Sequence, residues 1–76
     1  MKYENLKYIG KGIIPDGYFE DEILGFFYFD KESGKTICSG HQFYFTYHTP
    51  PAIDEKEAIW LMKNHPSSNV KFYEEA

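Results

Sequence analysis

Residues 50–66 read PPAIDEKEAIWLMKNHP and carry the clearest structural signal in the chain. Asp54 is suited to cap a helix N-terminus, and Glu57 three residues later completes the Asp-x-x-Glu form of a capping box. Four apolar residues then recur at helical spacing and form one stripe: Ala58, Ile59, Leu61 and Met62. Pro66 disfavours helix in the residue before it. The stretch therefore predicts a helix over residues 55–64.

The remainder of the chain has the alternation and the turn residues of β-strands. Strands are predicted over residues 6–14, 22–29, 35–39 and 42–48, with a short last strand over 70–73. A turn is expected at residues 30–34, and Pro15, Asp16 and Gly17 give a second turn signal. Residues 35–39 and 42–48 form either one bent strand or two, with Gly40 as the candidate position of a bulge.

These elements predict an α+β domain that spans residues 1–76. One helix with a single apolar stripe needs a sheet face to cover it. The expected fold is a small, mostly antiparallel sheet of about four or five strands, with one helix near the C-terminus packed on one face.

Composition and charge exclude several classes of protein. The 76 residues have a net charge of −4, and all eight basic residues are lysine. An acidic chain without arginine is a poor ligand for nucleic acid, so no nucleic-acid partner is expected. No apolar run approaches the ~20 residues of a membrane helix, so no membrane partner is expected. The single cysteine and the absence of an export signal predict a cytoplasmic location in a bacterial host cell, or association with a virion.

The C-terminal third of the chain resembles a group of short viral proteins. Residues 50–66, followed by Val70, Lys71 and Phe72, are similar to the C-terminal ends of many small phage and prophage proteins. In those proteins the C-terminal end contains, in order, a strand, an acidic helix cap, a helix with the pattern Glu-Ala-x-x-Leu, a turn and a short strand. The resemblance implies a phage or prophage origin, and it carries no catalytic residues over.

Two motifs raise the question of a bound ion or cofactor. Gly10, Lys11 and Gly12 are followed by strand and turn residues, whereas a phosphate-binding loop needs a helix there. Four residues have side chains that can bind zinc: Cys38, His41, His48 and His65. Structural zinc sites favour two or more cysteines and closely paired second ligands, which this set lacks. No cofactor and no metal are therefore predicted, and a small zinc-binding module is kept as an alternative.

No enzymatic activity is predicted either. Cys38 with a histidine would need a neighbouring base and a cleft that excludes water, and no catalytic signature is present. An acidic stretch, Glu20 to Glu22 with Asp16 upstream, has the composition of a solvated turn. A more specific interpretation is phosphate mimicry, in which the carboxylates of an acidic phage protein replace phosphates and inhibit a host DNA or RNA enzyme.

Trp60 is the residue that points most directly to an interface. At 100° per residue it lies opposite the apolar stripe of the predicted helix. Exposed tryptophans often dominate protein interfaces, although a terminal segment covering Trp60 is the alternative. The candidate interface residues are Trp60, Lys56, Lys63 and Asn64 on the helix, with Tyr44 on the sheet.

The strand predicted over residues 22–29 is apolar on both sides, and one helix can cover only one face of a sheet. An uncovered face bearing Tyr44 would favour pairing with another copy or a partner. The leading hypothesis is a small, non-enzymatic interaction or assembly protein that presents an aromatic surface to a protein partner or forms a homodimer.

Overall fold

The computed structural model describes residues 5–16, 21–40, 43–68 and 70–74. In these residues the elements are β1 (Leu6–Asp16), β2 (Asp21–Asp30), β3 (Thr36–Gly40), β4 (Phe43–Thr46), α1 (Glu55–Asn64) and β5 (Lys71–Glu74). The strands form one sheet in the order β4-β3-β2-β1-β5, and every neighbouring pair is antiparallel. The predicted α+β fold, with a small antiparallel sheet and one helix near the C-terminus, is confirmed.

The helix begins and ends where its capping residues predict. The Asp54 carboxylate accepts a hydrogen bond from the Glu57 N–H at 2.9 Å, while the Glu57 carboxylate accepts from the Ile53 N–H at 3.3 Å. These bonds satisfy N–H groups that have no partner within the helix. At the other end the His65 N–H donates to the Leu61 carbonyl at 3.0 Å. The predicted bounds of 55–64 are confirmed.

The turn between β2 and β3 is also built locally. The Asp30 carboxylate accepts from the Glu32 N–H and from the Ser33 hydroxyl, both at 2.9 Å. Gly34 has a φ of +77°, which glycine adopts without the steric penalty of a side chain. The predicted turn at residues 30–34 is confirmed.

The bulge considered at Gly40 is absent from that position, and a bulge occurs in β1 instead. Gly40 pairs regularly with Phe43, so 36–40 and 43–46 are two separate strands and Gly40 marks no bulge. The shift of register is in β1, between Tyr8 and Gly10. The extra residue, Ile9, is almost completely buried, since a bulge redirects the side chain of the added residue.

The turn expected at Pro15 and Asp16 is wrong for those two residues. They continue β1 and pair with Glu22 and Asp21 at the start of β2. Proline is tolerated near the end of a strand, and long cross-strand pairing outweighs the local turn signal. Residue 17 lies outside the described residues.

The hydrophobic core lies between α1 and one face of the sheet, which we call the helix face. The helix contributes Ala58, Leu61 and Met62, and the sheet contributes Ile9, Phe27, Phe29 and Cys38. Phe27 is the centre of this core, with edge-to-face ring contacts to Tyr47 at 5.3 Å and to Phe72 at 5.8 Å. These contacts confirm the prediction that the helix packs on one face of the sheet.

Candidate functional site

The second face of the sheet is the candidate functional site. Side chains alternate across a strand, so Phe26 and Phe27 of β2 point to opposite faces. Phe27 is 0% exposed beneath the helix, whereas Phe26 is 39% exposed on the other side. We call the side that carries Phe26 the open face, because among the described elements the helix packs only on the opposite side.

Four rings from three strands form a continuous cluster on the open face. The ring of Tyr8 lies 5.5 Å from that of Tyr28 and 6.4 Å from that of Phe26, and the rings of Tyr28 and Tyr44 are 6.2 Å apart. We call Tyr8, Phe26, Tyr28 and Tyr44 the aromatic cluster. All three ring pairs are tilted, with interplanar angles of 43° to 57°.

The aromatic cluster is part of a wider apolar surface. Paired residues of antiparallel strands share a face, and the register places Leu24 and Tyr73 on the same side as Phe26. Both are about half exposed. Ile37 of β3, opposite Tyr28, is only 4% exposed, so the larger side chains around it already form a packed layer. Among the seven large apolar residues exposed in the described part of the chain, Leu24, Phe26, Tyr44 and Tyr73 share this face.

The charges on the open face are basic towards β5 and acidic at the two ends of β2. Lys11 and Lys71 are exposed, and the register places them beside Phe26 and Ile13. Glu22 and Asp30 stand at the two ends of β2. Among the described residues, no acidic side chain lies between those ends on this face. Burial raises the pKa of the Tyr28 phenol, and Tyr44 beside it raises the pKa further. Tyr28 therefore stays neutral at physiological pH.

The predicted interface residues fall on two separate surfaces. Trp60 is 58% exposed on the outer side of the helix, as its angular position predicts. Lys56 and Asn64 are also exposed there, and the Lys63 ammonium lies 3.4 Å from a Glu74 carboxylate oxygen. Tyr44, in contrast, belongs to the open face on the other side of the sheet. The role of each of these residues in binding stays a prediction.

Of the residues on the open face, the sequence alone identified only Tyr44 as a candidate interface residue. Tyr8 and Tyr73 lie in strands whose patterns are weak, and only pairing across the sheet brings them beside Phe26. The alternation of Leu24, Phe26 and Tyr28 within β2 was the available signal. It shows an apolar second face but does not show which other residues share it.

The candidate zinc ligands do not assemble in the described part of the chain. Cys38 is completely buried in the core, and burial raises the pKa of its thiol to about 11. His48 and His65 both contact Ser67: His48 through the carbonyl of Ser67, and His65 through its hydroxyl at 2.7 Å. No group of three or more potential metal ligands occurs among the described residues, and residue 41 lies outside them.

Cys38 is also a poor nucleophile in this position. A thiol reacts as the thiolate, and a pKa of about 11 keeps it protonated at neutral pH. Its Sγ lies 3.1 Å from the position that a Cβ on Gly25 would occupy, so the surroundings are tightly packed.

The glycine motif and the acidic stretch lie in or beside strands. Gly10, Lys11 and Gly12 are within β1, so no helix N-terminus follows them. Gly10 has a φ of +156°, and a Cβ there would lie 2.4 Å from the Tyr73 carbonyl oxygen. The glycines of this motif therefore allow β5 to pack closely against β1. Asp16 and Asp21 pair at the ends of β1 and β2, while residue 20 lies outside the described residues.

In the described residues, no helix is long and apolar enough to cross a membrane. No known protein family, no curated protein and no solved structure matches the chain.

Proposed function

We propose that this protein is a non-enzymatic interaction module that binds a protein through the open face of its sheet. The observation that carries the proposal is the aromatic cluster, which lies on the side of the sheet away from the helix. Large exposed apolar patches on small domains mark interaction sites, because their burial removes apolar surface from water.

Charge favours a protein over nucleic acid as the ligand of this surface. The rings of the aromatic cluster are inclined to one another by 43° to 57°, so neighbouring rings do not form a single flat platform. The net charge of −4 and the lack of arginine also oppose binding to phosphate.

The resemblance of the C-terminal third to phage and prophage proteins adds a biological context. On that basis the proposed partner is a component of a phage assembly or another copy of the chain, in the host cytoplasm or in the virion. This context rests on the resemblance alone.

Co-purification with matched variants tests the proposal. Tagged wild type, Phe26→Ser and Trp60→Ser are each passed through host lysate, and the bound proteins are compared. The two variants make the same change in an exposed aromatic side chain on opposite sides of the molecule. We expect Phe26→Ser to lose the bound protein and Trp60→Ser to retain it.

The opposite pattern contradicts the proposal. Retention by Phe26→Ser with loss by Trp60→Ser would place binding on the outer side of the helix. Circular dichroism of both variants establishes that the fold is intact before the comparison is made.

A further inference from the structure

We infer that the outer edge of β5 pairs with an extended segment of a partner protein, which adds a strand to the sheet. The segment carries an acidic side chain and an apolar side chain two positions apart. The inference concerns the edge of the sheet, so it goes beyond the proposed function and does not depend on what binds the open face.

β5 is one of the two edge strands of the described sheet, because the order of strands ends with it. In an antiparallel sheet the N–H and C=O groups of successive residues point alternately to the two neighbouring strands. Every second residue of an edge strand therefore directs both groups away from the sheet. The contacts between β1 and β5 show which residues of β5 do so.

The carbonyl groups of Lys71 and Tyr73 point towards β1. A Cβ on Gly10 would lie 2.4 Å from the Tyr73 carbonyl oxygen, and a Cβ on Gly12 would lie 3.0 Å from the Lys71 carbonyl oxygen. Such short distances require both oxygens to lie on the side of β5 that faces β1. Residues 71 and 73 therefore take part in the pairing with β1.

The pairing further into the sheet gives the same alternation. The Asp30 N–H donates to the Lys35 carbonyl, so even-numbered residues of β2 direct their main-chain groups to β3 and odd-numbered residues direct theirs to β1. Because Phe27 pairs with Gly10, the odd-numbered residues of β1 beyond the bulge direct theirs to β5. Their partners in β5 are again residues 71 and 73.

Phe72 and Glu74 consequently direct their N–H and C=O groups to the outer side of β5. No described residue forms a hydrogen bond with these main-chain groups. The two residues lie ~6.6 Å apart along the strand, which is also the spacing of alternate residues in any other extended chain. Main-chain hydrogen bonds of this kind provide the affinity when a peptide adds a strand to a sheet edge.

The side chains of β5 define the chemistry of the segment. Lys71 and Tyr73 are exposed on the side of the open face. The charge of Glu74 is offset by Lys63 at 3.4 Å, whereas Lys71 forms no ion pair with a described residue. An acidic residue opposite Lys71 and an apolar residue opposite Tyr73 complement this side. The other edge strand, β4, carries no charged residue and offers no such pairing.

The same alternation fixes which amides of the bound segment face β5. Residues that are paired across antiparallel strands direct their main-chain groups in matching directions. The segment residues opposite Phe72 and Glu74 therefore donate to β5. The acidic and the apolar residue, opposite Lys71 and Tyr73, direct their N–H groups away from it.

Hydrogen exchange of the full chain, measured for each amide by NMR, tests the inference. The probe is a peptide of two Thr-Val-Thr-Glu repeats, blocked at both ends, in which valine and glutamate share one side. The amides of Lys71 and Tyr73 are expected to exchange slowly with or without the peptide. Those of Phe72 and Glu74 should slow ~10-fold when the peptide is present at about ten times its dissociation constant.

Matched controls separate main-chain pairing from side-chain contact. Methylation of the threonine amides of the peptide should abolish binding, whereas methylation of the valine and glutamate amides should leave it intact, because only the threonine N–H groups face β5. Lys71→Glu should raise the dissociation constant ~5-fold. Lys56→Glu, the same change at an exposed lysine of the helix, should leave it unchanged.

Three results would overturn the inference. One is unchanged exchange of Phe72 and Glu74 at millimolar peptide. Another is equal binding of the two methylated peptides, which would exclude a role for the main chain of β5. The third is protection that arises along β4 instead. Phe26→Ser should bind the peptide as wild type does, so a failure at this edge is distinguishable from a failure of the open face.

Discussion

Alanine substitutions of Phe26 and Phe27, made one at a time, test whether the two faces of the sheet differ as described. The residues are adjacent in β2 and chemically identical, so intrinsic strand propensity cancels between the two variants. Phe27 is completely buried and contacts Tyr47 and Phe72. Truncation of a core phenylalanine costs ~3–5 kcal/mol, because a cavity is left in addition to the lost transfer free energy.

Truncation of Phe26 to alanine is expected to lower the free energy of unfolding of the isolated monomer by much less. About three fifths of its surface is covered, and full burial of such a side chain contributes ~1.5–3 kcal/mol. The expected loss for Phe26→Ala is therefore about 1–2 kcal/mol, with no cavity term because the site is open to solvent. A difference of about 2–3 kcal/mol corresponds to a gap in melting temperature of ~10–20 °C for a domain of this size.

Thermal and urea unfolding, followed by circular dichroism at a concentration where the protein is monomeric, measures both losses. Phe26→Leu and Phe27→Leu are a gentler pair and preserve the comparison if Phe27→Ala does not fold. Equal losses for the two positions would refute the reasoning, since they would mean that the open face is as well covered in the monomer as the helix face.

Four further outcomes are expected. Asp54→Ala should lower stability by ~0.5–2 kcal/mol, because the Glu57 N–H loses its acceptor, and an unchanged melting temperature would contradict this role. Trp60→Ala should cost under about 1 kcal/mol in the monomer, and a loss of the size seen for a core residue would mean that another segment covers it. The stability of wild type relative to Cys38→Ala should fall as pH rises from 9.0 to about 11, because only the unfolded chain loses the thiol proton in that range, and parallel pH profiles would argue against a buried thiol. Duplex and single-stranded DNA should show no binding at physiological salt, and a steep salt-dependent affinity would reveal a basic surface that the composition does not predict.

The helix, the β2–β3 turn and most strand positions were predictable from sequence. The Asp54 cap, the Glu57 contact and the turn at Asp30 involve residues only a few positions apart. Their hydrogen bonds form within one segment, so local residue types are enough to specify them. The exposure of Trp60 follows in the same way, from its angle on a helix whose apolar stripe is continuous.

The composition of the open face was only partly predictable. The alternation in β2 indicated that both faces of the sheet are apolar. The single predicted helix could cover only one of them. The alternation did not bring Tyr8 and Tyr44 beside Phe26, because each of those residues lies 18 positions from Phe26 along the chain. Their proximity depends on register, and register is set by the pairing of whole strands.

Local sequence thus determined the bounds of the helix, the turn between β2 and β3 and the approximate position of each strand, and also that β2 would need cover on both sides. Tertiary structure alone decided the order of the strands, the bulge at Ile9 and the face on which the helix packs. These depend on contacts between residues far apart in the chain, which form only when one arrangement buries more apolar surface than its competitors. Once Phe27, Ile9 and Met62 had filled the core on the helix face, the aromatic cluster was left on the other side of the sheet.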